Sequence, residues 1–243
     1  GVLFKHAFVT APSCTPCRSS LLSGQYFFRT GLGAILQGAK WDPNIPVYPL
    51  LLRDAGYHIG KTYKVWTPGS PKDAPYGVGK YAYEKSGRMF NGFSQVTTKR
   101  VAEGMTVQTA KQVLYDEVMG NFNSFLDDRD KGKPFCYMLS LPDPHGPNTV
   151  RAPYDTWYDA VDVPIPPSVN KTAAQTPRWA VRAPKITADT IRTLMPKYYG
   201  MVRCIDDNVG RILGALRRNG QIDNTLIVLT SDHGDLCGEH GRL

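Results

Sequence analysis

The 243-residue sequence lacks several features that would restrict its function at once. It has no apolar run of the roughly 20 residues that a membrane-spanning helix needs, so we predict no membrane span. It has no basic run interleaved with aromatic residues, which argues against nucleic acid as a partner. Its five cysteines are odd in number and widely scattered, which argues against a small disulfide scaffold.

Positive charge, by contrast, is in excess. The chain has 29 Lys and Arg against 21 Asp and Glu, a formal net charge of +8. This excess favours an anionic partner through long-range attraction, and a sulfated polymer or a small phosphate or sulfate ester fits it. The net charge of the protein therefore indicates that the ligand is negatively charged and does not identify it.

Both ends of the sequence look cut. It begins at Gly1 without Met, on a strand-like pattern, and stops at Leu243 just after a glycine-rich turn. We therefore expect a targeting segment to be missing, and cysteine usage leaves the compartment open.

The hydrophobic pattern predicts alternating helices and strands. Strands are expected over 2–9, 57–66, 135–141 and 226–229. Helices are expected from Pro16 onward and over 48–55, 106–129 and 189–218, the last kinked or split at Pro196. The stretches 67–100 and 142–188 read as loops. This alternation predicts an α/β fold with a mostly parallel sheet covered by helices on both faces.

The first segment that carries chemistry starts at Cys14 and reads Cys-Thr-Pro-Cys-Arg-Ser-Ser-Leu-Leu-Ser-Gly. A cysteine just before a helix meets free backbone N–H groups, which suit an anion and a reactive thiol. Arg18, one helical turn later, adds a planar guanidinium whose N–H groups can bind a tetrahedral oxyanion. The Cys-x-x-Cys spacing of Cys14 and Cys17 also fits half of a zinc site, a redox dithiol or two structural cysteines. No second cysteine pair at ligand spacing completes the zinc site.

The second segment, residues 230–241, reads Thr-Ser-Asp-His-Gly-Asp-Leu-Cys-Gly-Glu-His-Gly and follows a predicted strand. Asp232 and His233 place a carboxylate beside an imidazole, a pair that can bind a divalent ion, although calcium prefers oxygen ligands. The alternative is a polar loop whose glycines serve turns.

Two further segments contain candidate polar ligands. His145 lies in the proline-rich stretch 142–147, a stiff loop that favours a defined orientation, with a purely structural histidine as the alternative. Residues 55–66 read Ala-Gly-Tyr-His-Ile-Gly-Lys-Thr-Tyr-Lys-Val-Trp and contain Lys61 and Lys64, for either of which a solvated lysine is the alternative.

Together these segments resemble the type I sulfatases of the alkaline-phosphatase-like superfamily. Cys-x-Pro-x-Arg followed by Ser-x-x-x-Ser-Gly resembles the signature whose cysteine is oxidised to formylglycine. Ser-Asp-His-Gly-x-x-x-Gly-Glu-His-Gly, Pro-His-x-Pro and Ala-Gly-Tyr resemble further family segments, and all occur in family order. The resemblance implies an alkaline-phosphatase-like sandwich, incomplete here, over nearly the whole chain.

The resemblance also implies roles for individual residues. It assigns catalysis to Cys14, Arg18, Lys64 and His145, with Lys64 and His145 also binding substrate, and one calcium ion to Asp232 and His233. Counting from Gly56-Tyr57 favours Lys64 over Lys61 as the sulfate ligand. The chain departs from the family at Cys17, where most members have serine, and at Trp66, where histidine is often found. The group that removes the last proton is therefore open.

The implied activity is hydrolysis of a sulfate ester, with a sulfated saccharide preferred over an aryl sulfate. One hydroxyl of the hydrated formylglycine attacks sulfur, His145 protonates the leaving alcohol, and loss of the second hydroxyl proton releases sulfate. A formylglycine-generating maturation enzyme is the implied partner, and the implied location is periplasmic or secreted.

Two rival functions stay open. One is a phosphonate or phosphate ester hydrolase of the same fold. The other is a non-catalytic protein that binds sulfated glycans, favoured by the net charge and by Trp66.

The resemblance predicts one partial catalytic domain over 1–243. It lacks the family's N-terminal strand with two consecutive aspartates, a lysine after the Gly-Glu-His-Gly segment, and the small C-terminal subdomain. We therefore expect the chain by itself to bind calcium poorly and to have little activity.

Overall fold

The fold is that of a computed structural model, which describes residues 1–36, 38–62, 66, 103–141, 143–175, 178 and 186–242. Within these residues lie four α-helices and two β-strands. In chain order they are α1 (Cys14–Ser23), α2 (Tyr48–Asp54), β1 (His58–Thr62), α3 (Val107–Asp128), β2 (Phe135–Leu139) and α4 (Ala188–Arg218).

The two strands form a parallel pair, with His58 opposite Phe135 and Thr62 opposite Leu139. The pair packs tightly against α3 at Gly60. A Cβ atom at Gly60 would lie 2.4 Å from the Tyr137 ring and 2.7 Å from the Phe125 ring, so only glycine leaves room for both aromatic side chains.

Helices cover both faces of this sheet, because successive side chains of β2 point in opposite directions. Phe135 and Tyr137 pack on a cluster from α3 and α4 that contains Met119, Phe122, Phe125, Leu126, Ala215 and Leu216. Cys136 and Met138 pack on the opposite cluster, which contains Leu22 of α1, Val47, Ile59 and Trp66. The predicted α/β fold with a parallel sheet covered on both faces is confirmed.

The helices fall close to their predicted bounds. Threonine side chains cap the two long helices: Thr106 accepts from Thr109 N at the start of α3, and Thr187 accepts from Thr190 N at the start of α4. Of the two predicted effects of Pro196, a kink or a split, the split is wrong, because α4 continues through Pro196 as one helix of 31 residues. Its buried residues run from Ile191 to Leu216, and this long packed face outweighs the hydrogen bond that proline cannot donate.

Two of the predicted strands are wrong. Residues 2–9 and 226–229 have no strand assignment, and several of their apolar side chains are exposed, for example Phe8 at 89% and Leu226 at 91%. Alternation or an apolar run favours a strand only where a neighbouring strand supplies backbone hydrogen bonds, and among the described residues only β1 and β2 pair.

The predicted loop 142–188 is largely irregular where it is described, with 3-10 turns at Pro167–Asn170 and Ala173–Gln175. The predicted loop 67–100 lies outside the described residues. Among the helices described, none combines the length and the hydrophobicity needed to cross a membrane.

Candidate active site

Helix α1 positions the first candidate residues. Cys14 is its first residue and Arg18 lies one turn later, so both project from the same face of the helix. The other face is fixed to the core: Thr15 Oγ1 donates to the carbonyl oxygen of Trp66 at 3.1 Å, and Trp66 Nε1 donates to Ser19 Oγ at 2.9 Å. These bonds hold Cys14 and Arg18 in a set direction.

The second motif meets this face of α1 directly. Cys14 Sγ lies 3.6 Å from His233 Nε2, and the Arg18 guanidinium forms an ion pair with the Asp232 carboxylate. The Cys17 thiol donates to the main-chain oxygen of Asp232. Residues more than 200 positions apart in the sequence thus form one cluster, which we call the cysteine cluster: Cys14, Arg18, Asp232 and His233.

The surroundings of His233 in this cluster shift its pKa. Its hydrogen bond with Cys14 raises the pKa of His233 to about 9, and the Gly234 carbonyl and the Asp232 carboxylate act in the same direction, while burial opposes them. His233 Nδ1 lies 2.8 Å from Gly234 O, and since a carbonyl only accepts, Nδ1 carries a proton and Nε2 faces the thiol. The imidazole is therefore oriented towards position 14.

The third motif forms a separate unit, the His145 loop (residues 143–149). Lys111 of α3 holds this loop: its Nζ donates to Asp143 Oδ1 at 2.8 Å, to Pro147 O at 3.0 Å and to Thr149 O at 2.7 Å. The ion pair is almost fully enclosed, with side-chain exposures of 2% for Lys111 and 1% for Asp143. Burial raises the pKa of Asp143 and lowers that of Lys111, and their attraction opposes both shifts.

His145 itself is exposed at the tip of this loop, with Nδ1 2.8 Å from Gly146 O. The loop shares a cleft of about 130 Å³ with the second motif. The lining residues from the two segments are Pro144, Gly146 and Asn148 on one side and Asp235 and Cys237 on the other. The structure thus brings four of the predicted site residues into contact as the cysteine cluster. It places the loop of another, His145, beside the second motif.

Of the two lysine candidates, the structure describes Lys61 and not Lys64. Lys64 lies outside the described residues. Lys61 is buried within β1 at 2% exposure, and burial lowers its pKa to about 8. Trp66 is 1% exposed and packs edge-on against Trp41 beneath α1, so it is not the surface platform that would favour glycan binding.

Sequence reasoning missed the residues that support the site. Lys111 lies on the apolar stripe of α3, on the same face as the buried Tyr115 and Val118, and a lysine at such a position signals a buried charge. At the far end of the second motif, Ser168 bonds to the Glu239 carboxylate and accepts from His240 N. No local pattern distinguishes Ser168 from other loop serines.

A calcium ion takes about six to eight oxygen ligands. Among the described residues, one group of three or more potential ligands occurs: Cys14, Asp232 and His233. It contains a single carboxylate, so these residues do not by themselves make a calcium site. Calcium stays a prediction from the family resemblance.

Comparison with known families now places the chain. The family model described as Sulfatase matches residues 1–242. The chain belongs to the sulfatase family. Its curated relatives include an extracellular sulfatase SULF-1 homolog of Drosophila melanogaster, 26% identical over 100% of this chain and 23% of that protein. They also include the N-acetylglucosamine-6-sulfatase of Bos taurus, 27% identical over 98% of this chain and 46% of that protein.

Solved structures support the fold. The phosphonate monoester hydrolase of Agrobacterium radiobacter superposes with a TM-score of 0.72 at 21% identity, over 96% of this sulfatase-family chain and 55% of that protein. At this identity the match establishes the fold alone. The chain spans about half the length or less of the relatives named here.

Proposed function

We propose that the protein hydrolyses sulfate esters and releases inorganic sulfate. The observation that carries the proposal is the cysteine cluster: Cys14 opens a helix, Arg18 follows one turn later, and both meet Asp232 and His233. Membership of the sulfatase family supports this reading of the cluster.

In this proposal Cys14 is converted to formylglycine, whose hydrated aldehyde supplies the hydroxyl that attacks sulfur. The position suits that role, because Cys14 is half-buried at the start of α1, where backbone N–H groups are unsatisfied by the helix. A formylglycine-generating maturation enzyme is the partner that this conversion requires.

The cations of the site bind and orient the sulfate group. Arg18 is held by Asp232, so its guanidinium is oriented before substrate arrives. Lys64 is proposed as a second ligand of the sulfuryl oxygens.

Two histidines move protons in opposite directions. Once Cys14 is formylglycine, the thiol that raises the pKa of His233 is gone, and His233 Nε2 in its neutral form, facing position 14, takes the hydroxyl proton there and so fills the role left open by Trp66. His145, exposed on its loop, donates a proton to the leaving alcohol oxygen. Because Lys111 holds the loop in place, His145 can donate its proton only within a limited region.

The proposed substrate is a sulfated saccharide acted on outside the cytoplasm. The net charge of +8 attracts a polyanion. The Bos taurus relative is named for an N-acetylglucosamine sulfate, and the Drosophila relative is named extracellular, which supports a secreted or periplasmic location.

The test is to produce the full-length protein together with a maturation enzyme and to measure mass and turnover. We expect the Cys14 peptide to lose about 18 Da as the thiol becomes an aldehyde, and we expect the protein to hydrolyse an aryl sulfate. Cys14→Ala should abolish both results. Cys17→Ser, which restores the residue common in the family, should retain both. Turnover that survives Cys14→Ala would refute the proposal.

A phosphonate or phosphate ester hydrolase is the second candidate, because the Agrobacterium structure with that activity in its name shares the fold. Turnover of matched aryl sulfate, aryl phosphate and phosphonate monoester substrates separates the two. We expect the sulfate to have the highest kcat/KM.

A further inference from the structure

Helix α1 carries two cysteines, and the proposed reaction uses only one of them. Cys14 is the residue that becomes formylglycine, while Cys17 has no part in that chemistry. Both are present as thiols in the structure. We propose that Cys14 and Cys17 form a reversible disulfide, and that this modification controls whether Cys14 can become formylglycine.

The spacing of the two cysteines on the helix suits a disulfide. Cys14 is the first residue of α1 and Cys17 lies three residues later. In an α-helix this separation places the two Cα atoms about 5 Å apart, within the range of about 4.4–6.8 Å that disulfides span.

The two sulfur atoms also face the same part of the molecule. Cys14 Sγ lies 3.6 Å from His233 Nε2, and the Cys17 thiol donates to the main-chain oxygen of Asp232, the preceding residue. New side-chain rotamers and a small adjustment of the first helical turn therefore suffice to join the two sulfurs.

The two cysteines differ in exposure as an attacking and a resolving thiol do. Cys14 is half-buried at the start of α1, where a small disulfide from solution can reach its sulfur. Cys17 is only 6% exposed, so its accessible reaction partner is the Cys14 sulfur. The fold therefore sets the order in which the two thiols react.

The turn between the cysteines is held in place. Thr15 Oγ1 donates to the carbonyl oxygen of Trp66 at 3.1 Å. Pro16 fixes its own φ in the first helical turn, where the helix does not need the N–H that proline lacks. A fixed turn keeps the two thiols at a high effective concentration, which favours an intramolecular disulfide over a lasting mixed disulfide.

The oxidant in this proposal is a small-molecule disulfide such as oxidised glutathione. The Cys14 sulfur attacks one of its sulfurs and displaces one molecule of reduced glutathione. The Cys17 sulfur then attacks the Cys14 sulfur, forms the Cys14–Cys17 bond and displaces the second glutathione. The protein loses two electrons and two thiol protons, and the two released glutathione thiols gain them.

The disulfide and formylglycine exclude each other, because both consume the Cys14 thiol. The disulfide does not require that the protein be a sulfatase, whereas its control of maturation rests on the proposed function. The two parts of the proposal are therefore tested separately.

The first experiment follows the tryptic peptide 6–18, which contains both cysteines, in the full chain produced without a maturation enzyme. The protein is equilibrated with oxidised glutathione and then treated with iodoacetamide. We expect a peptide about 2 Da lighter than the reduced form, without an alkyl group. Cys17→Ser should instead give a glutathione adduct on Cys14, and Cys14→Ser should leave Cys17 without one. The matched control is Cys237→Ser, at another half-buried cysteine, which should keep the disulfide.

A wild-type peptide alkylated at both cysteines, or one that keeps glutathione on Cys14, would overturn the disulfide. A glutathione adduct on Cys17 in Cys14→Ser would contradict the order of attack. Circular dichroism of each sample shows whether the chain is folded.

The second experiment measures conversion of the full-length protein by a purified maturation enzyme in a mixture of reduced and oxidised glutathione. We expect Cys17→Ser to be converted at least about tenfold faster than the wild type, because reduced glutathione readily reverses its mixed disulfide. With excess dithiothreitol the two rates should become equal.

The same ratio of rates in both buffers would show that the disulfide does not control maturation. Conversion of neither protein in dithiothreitol would contradict the proposed function, and the result of the first experiment would stand.

Discussion

The two histidines of the site lie in surroundings that are built differently. His233 belongs to the cysteine cluster, where side chains from distant parts of the sequence contact one another at the start of α1. His145 is exposed, and what is tightly built is the support beneath it, the buried Lys111 with its three acceptors.

Because of this difference, we expect the two regions to contribute differently to turnover and to stability. In the cysteine cluster the Asp232 side chain is 30% exposed, so water lessens the cost of losing its partner. Under the His145 loop both charges are enclosed, so neither can be lost without leaving the other in a medium that does not solvate it. We expect mutations to affect mainly turnover in the first region and mainly folding in the second.

The largest effect tests the enclosed pair. Lys111→Met leaves the buried Asp143 carboxylate without its cation, although the Tyr115 hydroxyl still donates to it at 3.0 Å, and this should lower the free energy of unfolding by about 3–5 kcal/mol. Urea denaturation measures the loss. The control is Arg192→Met in the exposed pair with Asp189, for which we expect about 1 kcal/mol or less. Equal losses in the two variants would show that the enclosed pair has no special role.

The next effect tests the cysteine cluster. Arg18→Met removes a donor that we propose binds the sulfuryl oxygens, and it should lower kcat/KM about 10²–10³-fold, while stability falls by only about 1–2 kcal/mol. The control is Arg29→Met, an exposed arginine just beyond α1, which should leave turnover unchanged. A loss of stability as large as that of Lys111→Met would erase the distinction between the two regions.

A smaller effect tests how the chain beyond the His145 loop is fixed on α4. A Cβ atom at Gly200 would lie 2.2 Å from Tyr154 O, a backbone atom that cannot easily move. Gly200→Ala should therefore cost about 1–3 kcal/mol. Gly210→Ala is the matched control in the same helix, because its added Cβ meets nothing within 4 Å. That variant should gain up to about 1 kcal/mol from helix propensity, and thermal unfolding compares the two.

The last effect is pH-dependent and tests a buried charge outside both regions. Burial lowers the pKa of Lys61 from 10.5 to about 8, so its charged form is less favourable in the folded state. The destabilisation is present in full below about pH 8, declines as pH rises to 10.5, and is gone above that.

Lys61→Met should therefore stabilise the protein at pH 7 by up to about 3 kcal/mol, with the gain vanishing near pH 10.5. Lys133→Met, at a side chain 52% exposed, is the control and should show no such pH dependence. A gain that is constant with pH would contradict titration of Lys61 as the cause.

The sequence predicts those parts of the fold that depend on interactions between residues close together in the chain. The periodic apolar faces of α3 and α4 predict those helices nearly to the residue, because a helix satisfies its own backbone. Strands 2–9 and 226–229 were wrong because a strand depends on a neighbour. The contact between Cys14 and His233 depends on the whole fold, and only resemblance suggested it. Lys111 was missed because its acceptors lie 32 to 38 positions away.

The anchoring of α1 to Trp66 has a consequence for how an anion would be received. The helix cannot roll about its axis without breaking the Thr15 and Ser19 bonds, and Ser19 also donates to Gly33 O at 2.8 Å. The backbone that carries Cys14 and Arg18 is thus held in one orientation. Because α1 is already fixed, little of its conformational entropy would be lost when an anion binds beside Cys14 and Arg18.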